Sequence, residues 1–393
     1  MTAVVLIAIM VDRRAITFRT LAVAAMIVLI FAPEALVHPS FQMSFAATLG
    51  LVAIVQISMP NLFAAPDNSK VARAALWGGR EIVTLAMASF IAGLATMPYA
   101  AFHFHRITPY GVLANLAAMP VVSALVMPAG LLGLIAMPFG FDGVFWRLMD
   151  VGIGWMIAVS QWVAALPGAI GRMASFSTGP LAAMSMGIVL LGLLRTPLRW
   201  AGAGTIVLAT IWALATPQPD ILVSGDGHNV GVRGKDGRFR VMRTGKDAFL
   251  VREWLAADAD PRAVGDTALS DGVSCDETGC LAQTADGKLV ALALKADALA
   301  DDCAHAAVIV TTRQPPPDCA ALVIDQAMLR KQGTLSLQKT ANGYEITAIR
   351  PRGVDRPWAP AIADPEPETV SPKRTPSRAV DATPAESDLQ SND

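Results

Sequence analysis

From Tyr110 to Phe139 the chain runs for thirty residues without a charged side chain. A helix rises ~1.5 Å per residue, so about 20 apolar residues cross ~30 Å of hydrocarbon. A stretch this long and this apolar belongs in a bilayer rather than in the core of a small soluble domain. It has company: Ala15 to Phe31, Phe41 to Met59, Ile82 to Phe102, Leu148 to Leu166, Pro180 to Leu194 and Trp200 to Ala215 are of the same kind. Together they predict about seven crossings. Residues 3–11 are apolar too, but nine residues rise only ~14 Å. With no basic stretch before them and Asp12-Arg13-Arg14 behind them, they read as the cut end of a longer helix rather than a signal peptide.

Charge divides the chain. Residues 1–216 hold 11 Lys/Arg and 6 Asp/Glu, and residues 217–393 hold 20 and 26. Soluble domains are about a quarter charged; the second part meets that level and the first falls far below it. We therefore expect a polytopic α-helical membrane domain over 1–216, a small soluble α/β (or α+β) domain over 220–350, and a disordered tail over 351–393, where eight prolines accompany many charges. The formal net charge of −1 is the sum of +5 (11 − 6) and −6 (20 − 26), so it identifies no partner. A strongly basic nucleic-acid-binding domain is excluded.

Placement of Lys and Arg sets the orientation. With Asp12–Arg19 inside, the inside loops hold Arg13, Arg14, Arg19, Lys70, Arg73, Arg80, Arg147, Arg195 and Arg199, while the outside loops hold Arg106 and Arg172. Seven crossings then put the soluble domain outside the cytoplasm. All four cysteines, Cys275, Cys280, Cys303 and Cys319, lie in that domain, as an oxidising space permits. Three pairings are open; nearest neighbours, Cys275 with Cys280 and Cys303 with Cys319, are the first expectation. A four-cysteine zinc site calls for two tight pairs, which the spacing from Cys303 to Cys319 fits poorly.

Within the membrane part, Pro120, Pro128 and Pro138 punctuate the thirty-residue run. A proline removes a backbone donor. Two readings stand: a broken or re-entrant element of the kind that lines transport pathways, or one tilted helix followed by an interfacial one. Asn115 faces a hydrated lumen or joins two helices by hydrogen bonding; Gln42 and Ser44 face a lumen or serve as interfacial and capping groups. His103-Phe104-His105-Arg106 has a His-x-His spacing, but without a neighbouring carboxylate or cysteine it reads as a solvated interfacial loop. Asp150 is an acid in or beside a span, with Arg147 one turn away to pair with it.

The soluble part shows hairpin signatures around Lys235-Asp236-Gly237 and Asn342-Gly343, helical spacing over Lys246–Ala257, and buried-strand runs at Leu289–Leu294, Ala306–Val310 and Ala321–Ile324. Ser224-Gly225-Asp226-Gly227-His228 reads as a turn or a small site, the turn being the commoner case, and Asp301-Asp302 is a carboxylate pair that next to Cys303 reads as the end of a helix. His-Glu-x-x-His, a P-loop, Gly-x-Ser-x-Gly and other catalytic signatures do not occur. No catalytic residue, metal or cofactor is assigned.

Asp12-Arg13-Arg14-Ala15-Ile16-Thr17-Phe18-Arg19, Pro33-Glu34-Ala35-Leu36 and Pro39-Ser40-Phe41-Gln42-Met43-Ser44-Phe45-Ala46-Ala47, together with Thr108-Pro109-Tyr110 through Asn115-Leu116 to Pro120, resemble the competence region of ComEC family membrane proteins over roughly residues 1–215. The resemblance implies an inner-membrane channel that passes one strand of incoming DNA into the cytoplasm during natural transformation. It implies single-stranded DNA, the membrane, and other competence-machinery proteins or further copies of the chain as partners. Family members usually begin with further helices and an OB-like domain, so this chain reads as a truncated or split copy. Many end in a metallo-β-lactamase-like domain; Ile221–Gly227 and Ala306–Arg313 fall where its strands would lie, but its histidines are missing, so the soluble domain reads as a degenerate, metal-free version. The alternatives are a membrane-tethered metallohydrolase acting on nucleic acid and a non-functional remnant. A strand-conducting pore needs polar or cationic lining. Arg13, Arg14, Gln42, Ser44, Arg106 and Asn115 are the candidates, although the positive-inside bias accounts for each arginine taken singly.

Overall fold

The computed structural model describes residues 17–56, 70–243 and 247–350. Arg13, Arg14 and the proline-rich tail lie outside them. Among the described residues seven apolar helices come first: α1 (Phe18–Phe31), α2 (Pro39–Gln56), α3 (Lys70–Phe104), α4 (Gly111–Phe139), α5 (Asp142–Ala164), α6 (Thr178–Leu193) and α7 (Arg199–Leu214). By length and composition, three of the described helices can cross a membrane: Ile82–Phe104 within α3, α4 and α5. The other four fall where crossings were expected but are shorter. Local chemistry sets their limits. Thr17 caps α1 by exchanging hydrogen bonds with Thr20, and Pro33 follows its last residue by two.

Helix α4 contains no loop. Between Pro120 and Pro128 it takes a π turn over Val122–Val126 and then continues as α-helix. A π turn adds one residue to the ring, so the freed carbonyls are accommodated without a break in the rod. Gly140, in the left-handed conformation (φ 70°), reverses the chain into α5. The two helices form an antiparallel hairpin. Gly133 lies against the Trp146 ring, Gly130 against Met149, and Gly152 against Leu125 and Val126; the Trp155 indole donates to the Ala117 carbonyl at 3.0 Å. Arg147 and Asp150 are both exposed, and no ion pair joins them.

Helices α6 and α7 pair even more closely. A Cβ on Gly187 would stand 2.8 Å from the Gly202 carbonyl oxygen, and a Cβ on Gly202 would stand 2.6 Å from that of Gly187. Small residues let membrane helices approach backbone to backbone.

A two-residue ribbon, β1 (Arg106–Ile107) with β2 (Gly171–Arg172), joins the loops after α3 and α5. Beyond α7 the chain builds two five-stranded sheets. The first is antiparallel, in the order β12 (Gly343–Ala348), β11 (Leu335–Thr340), β3 (Ile221–Val223), β4 (Asn229–Arg233), β5 (Phe239–Arg243). The second runs β10 (Leu322–Ile324), β9 (Ala306–Thr311), β8 (Leu289–Ala293), β7 (Gly279–Gln283), β6 (Val273–Cys275), with β8, β9 and β10 parallel. Alternation along each strand sorts the side chains. Val290 and Leu292 of β8 meet Val230, Val232 and Met242 of the first sheet in the main core, while Ala291 and Ala293 face outward onto Leu299. Buried on both faces, β8 reads as a continuous apolar run. Helix α8 (Ala248–Ala257) covers the first sheet through Val251 and Leu255, and α9 (Ala296–His305) covers the second through Leu299. The order of layers is therefore helix, sheet, sheet, helix, with α10 (Gln326–Gln332) adding Leu329 to the main core.

The sulfurs of Cys275 and Cys280 stand at disulfide distance (2.07 Å), as do those of Cys303 and Cys319 (2.10 Å). The first pair clips the β6–β7 hairpin; the second ties α9 to the loop before β10.

Candidate nucleic-acid interface

The ribbon is amphipathic because neighbouring strand residues point to opposite faces. Ile107 and the adjoining Met173 line a cavity of about 420 Å³ among α2, α3, α6 and α7, together with Pro98, Phe176 and Met184. The Thr210 hydroxyl in this wall is already donated to the Ile206 carbonyl. A phosphate in such a space would lose its hydration without gaining partners. The other face of the ribbon is cationic. Arg106 and Arg172 are direct cross-strand partners, and both are exposed.

That cationic face lies where the helical part meets the sheets. Arg172 donates to the Asp260 carbonyl at 3.3 Å. The Ser175 amide donates to the Ala257 carbonyl at 2.7 Å, and Gln218 donates to the Ser175 carbonyl at 2.8 Å. Two of the acids nearby, Asp258 and Asp260, are already engaged. Asp260 is 7% exposed and salt-bridged to Arg262 at 2.5 Å. Burial works to raise its pKa, but its hydrogen bonds from Arg262 outweigh burial and hold the carboxyl below its ordinary value. Asp258 pairs with Arg233 at 2.5 Å; there burial prevails and its pKa is raised despite the guanidinium. Those two carboxylates are thus paired with Arg233 and Arg262 and not with the ribbon arginines.

The expected site residues gather only in part. Gln42, on α2, is held at both ends of its amide: Nε2 donates to the Leu36 carbonyl at 2.9 Å, and Oε1 accepts from His103 Nε2 at 2.8 Å. Its role here is to fasten α2 to the end of α3. The Ser44 carbonyl accepts the Thr48 hydroxyl on the exposed side of α2. Asn115 is exposed one turn into α4. The His-x-His segment is not a solvated loop. His103 belongs to the last turn of α3, and His105 follows it half-buried in the left-handed region (φ 54°), its Nδ1 sealed without a partner. Burial lowers the His105 pKa; the Glu253 carboxylate pulls it upward and His103 pushes it further down. Among the described residues no group of three or more His, Cys, Asp or Glu stands close enough to hold a metal.

Sequence reasoning placed Arg172 only as a loop charge. Its pairing with Arg106 is non-local, and the available signal was that both arginines fell in loops assigned to the same side.

The family model described as "Competence protein" matches residues 1–198, half of the chain, covering every helix from α1 to α6 and both strands of the ribbon. No curated protein and no solved structure matches it. The apolar helices and this match make the chain a membrane protein, and it belongs to the competence protein family.

Proposed function

We propose that this chain forms part of an inner-membrane channel that passes one strand of DNA into the cytoplasm during natural transformation. The observation that carries the reading is the Arg106–Arg172 pair inside the family-matched region. Two arginines paired directly across neighbouring strands cost stability unless an anion comes between them. A nucleic acid backbone supplies such anions at regular spacing. The pair contacts phosphates at the outer mouth, and the strand passes beside the apolar cavity rather than through it.

Two features support an orientation with the sheets outside the cytoplasm. The ribbon shares an end with the sheet domain, and its loops are among those that the distribution of positive charge assigns outside. Disulfide-distance cysteine pairs suit an oxidising compartment. The helix, sheet, sheet, helix order supports reading the domain as the family's metallo-β-lactamase-like module without its histidine motif, a docking platform for other competence proteins rather than an enzyme.

The test is uptake of a marked DNA fragment in a strain deleted for the gene and complemented with wild type, Arg106→Glu or Arg172→Glu. Wild type restores transformation, and each reversal lowers it at unchanged protein level. Full transformation by the double reversal would remove the pair from the path.

A further inference from the structure

Helix α5 has two faces of opposite character. At 100° per residue, Gly152, Val159, Met149 and Trp155 lie on the side that packs against α4. Gly143, Arg147, Asp150, Gly154, Ile157 and Gln161 fall about 180° away in one stripe, and all six are exposed. A Cβ added at Gly143 or Gly154 would meet nothing within 4 Å. The stripe therefore has no neighbour among the described residues, yet it holds both ionisable side chains that α5 carries beyond its first residue.

Its depth makes this costly. Asp150 follows Asp142 by about 12 Å of helix rise. The turn before α5 is itself apolar, with Phe139 and Phe141 each more than 70% exposed. A short aspartate side chain at that level cannot reach the water beyond the interface as a lysine or arginine can. Intramembrane acids are accordingly covered by protein or bathed by a cavity. A strand of DNA is a poor cover, because Asp150 would repel its phosphates.

We propose that this face of α5 is the contact surface between two copies of the chain, packed as parallel neighbours about a twofold axis along the membrane normal. The stripe is self-complementary. Arg147 and Asp150 are one turn apart with opposite charge, so in a parallel pair each Arg147 reaches the other copy's Asp150 and two ion pairs form across the axis. Gly143 and Gly154 flank that level and let the two backbones approach. Gln161 meets its own equivalent, two amides that can donate and accept in turn. An interface of this kind is isologous, as closed dimers require.

The experiment is cysteine cross-linking of the full chain in membranes. Gly154→Cys and Ile157→Cys, treated with an oxidant, should give a disulfide-linked species of twice the monomer mass. Val144→Cys, exposed but about 100° off the stripe, should not. Arg147→Asp or Asp150→Arg alone, in the Ile157→Cys background, should lower the cross-linked fraction at least about tenfold, since like charges then face each other. The double swap should restore it. Membrane-inserted protein that cross-links at neither position overturns the proposal. So does cross-linking indifferent to the single reversals. Linkage of Gly154→Cys to a cysteine placed in residues 1–16 of the same chain would give the face to that segment instead, and labelling of Gly154→Cys by a membrane-impermeant thiol reagent in monomeric protein would give it to water. Either outcome also overturns the proposal.

Discussion

Arg106 and Arg172 stand directly opposite each other across a two-residue antiparallel ladder, a like-charge pair where the helices meet the sheets. Such a pair is worth roughly 0.2–1 kcal/mol less than a neutral one. Arg172→Gln should therefore leave thermal stability unchanged or slightly higher while DNA uptake falls. If the pair contacts phosphates, binding of a single-stranded oligonucleotide to the purified protein should lose about 0.7 from its log–log salt slope for each arginine removed. An unchanged slope in both single mutants would mean that the pair touches no phosphate.

Gly187 and Gly202 hold α6 and α7 together by backbone contact. Neither opposing carbonyl can move aside as a side chain can, so a methyl group at either position forces the helices apart. Gly202→Ala should cost on the order of 1–3 kcal/mol, read as a lower melting temperature in detergent. Gly204, where a Cβ meets nothing within 4 Å, is the matched control, and Gly204→Ala should be neutral or stabilising.

His105 bears on pH dependence. Its folded pKa lies below the ordinary value, mainly through burial, so below about 6.5 the unfolded or detached state binds more protons. The stability it contributes is present at neutral pH and is lost as pH falls below about 6.5. The wild-type melting temperature should drop between about pH 7 and pH 5.5, and His105→Asn, a residue that tolerates φ > 0, should flatten that slope. Equal slopes in the two proteins would exclude His105 as the titrating group.

The two cysteine pairs close very different loops, with sequence separations of 5 and 16. Loop-closure entropy grows with length. Replacing both cysteines of the Cys303–Cys319 pair with serine should therefore destabilise the sheet domain more, by roughly 2–4 kcal/mol, than the same change at Cys275–Cys280. Denaturant unfolding followed by the fluorescence of Trp254, which lies in that domain, would rank them.

The sequence announced what rests on local chemistry. The Asn342-Gly343 turn marked the β11–β12 hairpin, and the apolar runs at Leu289 and Ala306 marked β8 and β9, because a strand buried on both faces has no polar residues to hide. The short strands β6 and β7 were not legible; Gly279–Gln283 becomes a strand by pairing with β8 and by its link to Cys275, not by pattern. In the same way Arg106 and Gln42 could be singled out as polar residues in apolar surroundings, but not their partners. Arg172 and His103 reach them through contacts between distant segments, which no spacing along the chain encodes.

The π turn over Val122–Val126 also fixes how α4 presents itself along its length. One extra residue within a helix rotates everything beyond it by about 100°. Residues 111–121 and 127–136 thus keep a common side toward α5, with Ala117 bonded to Trp155 in the first segment and Gly130 and Gly133 against Met149 and Trp146 in the second. Deleting one of the five residues would give a straighter helix and a worse hairpin, because the two glycines would swing away from the rings and sulfur they accommodate. The apparent irregularity acts as a phase correction, and the reading frame of the helix surface depends on its being retained.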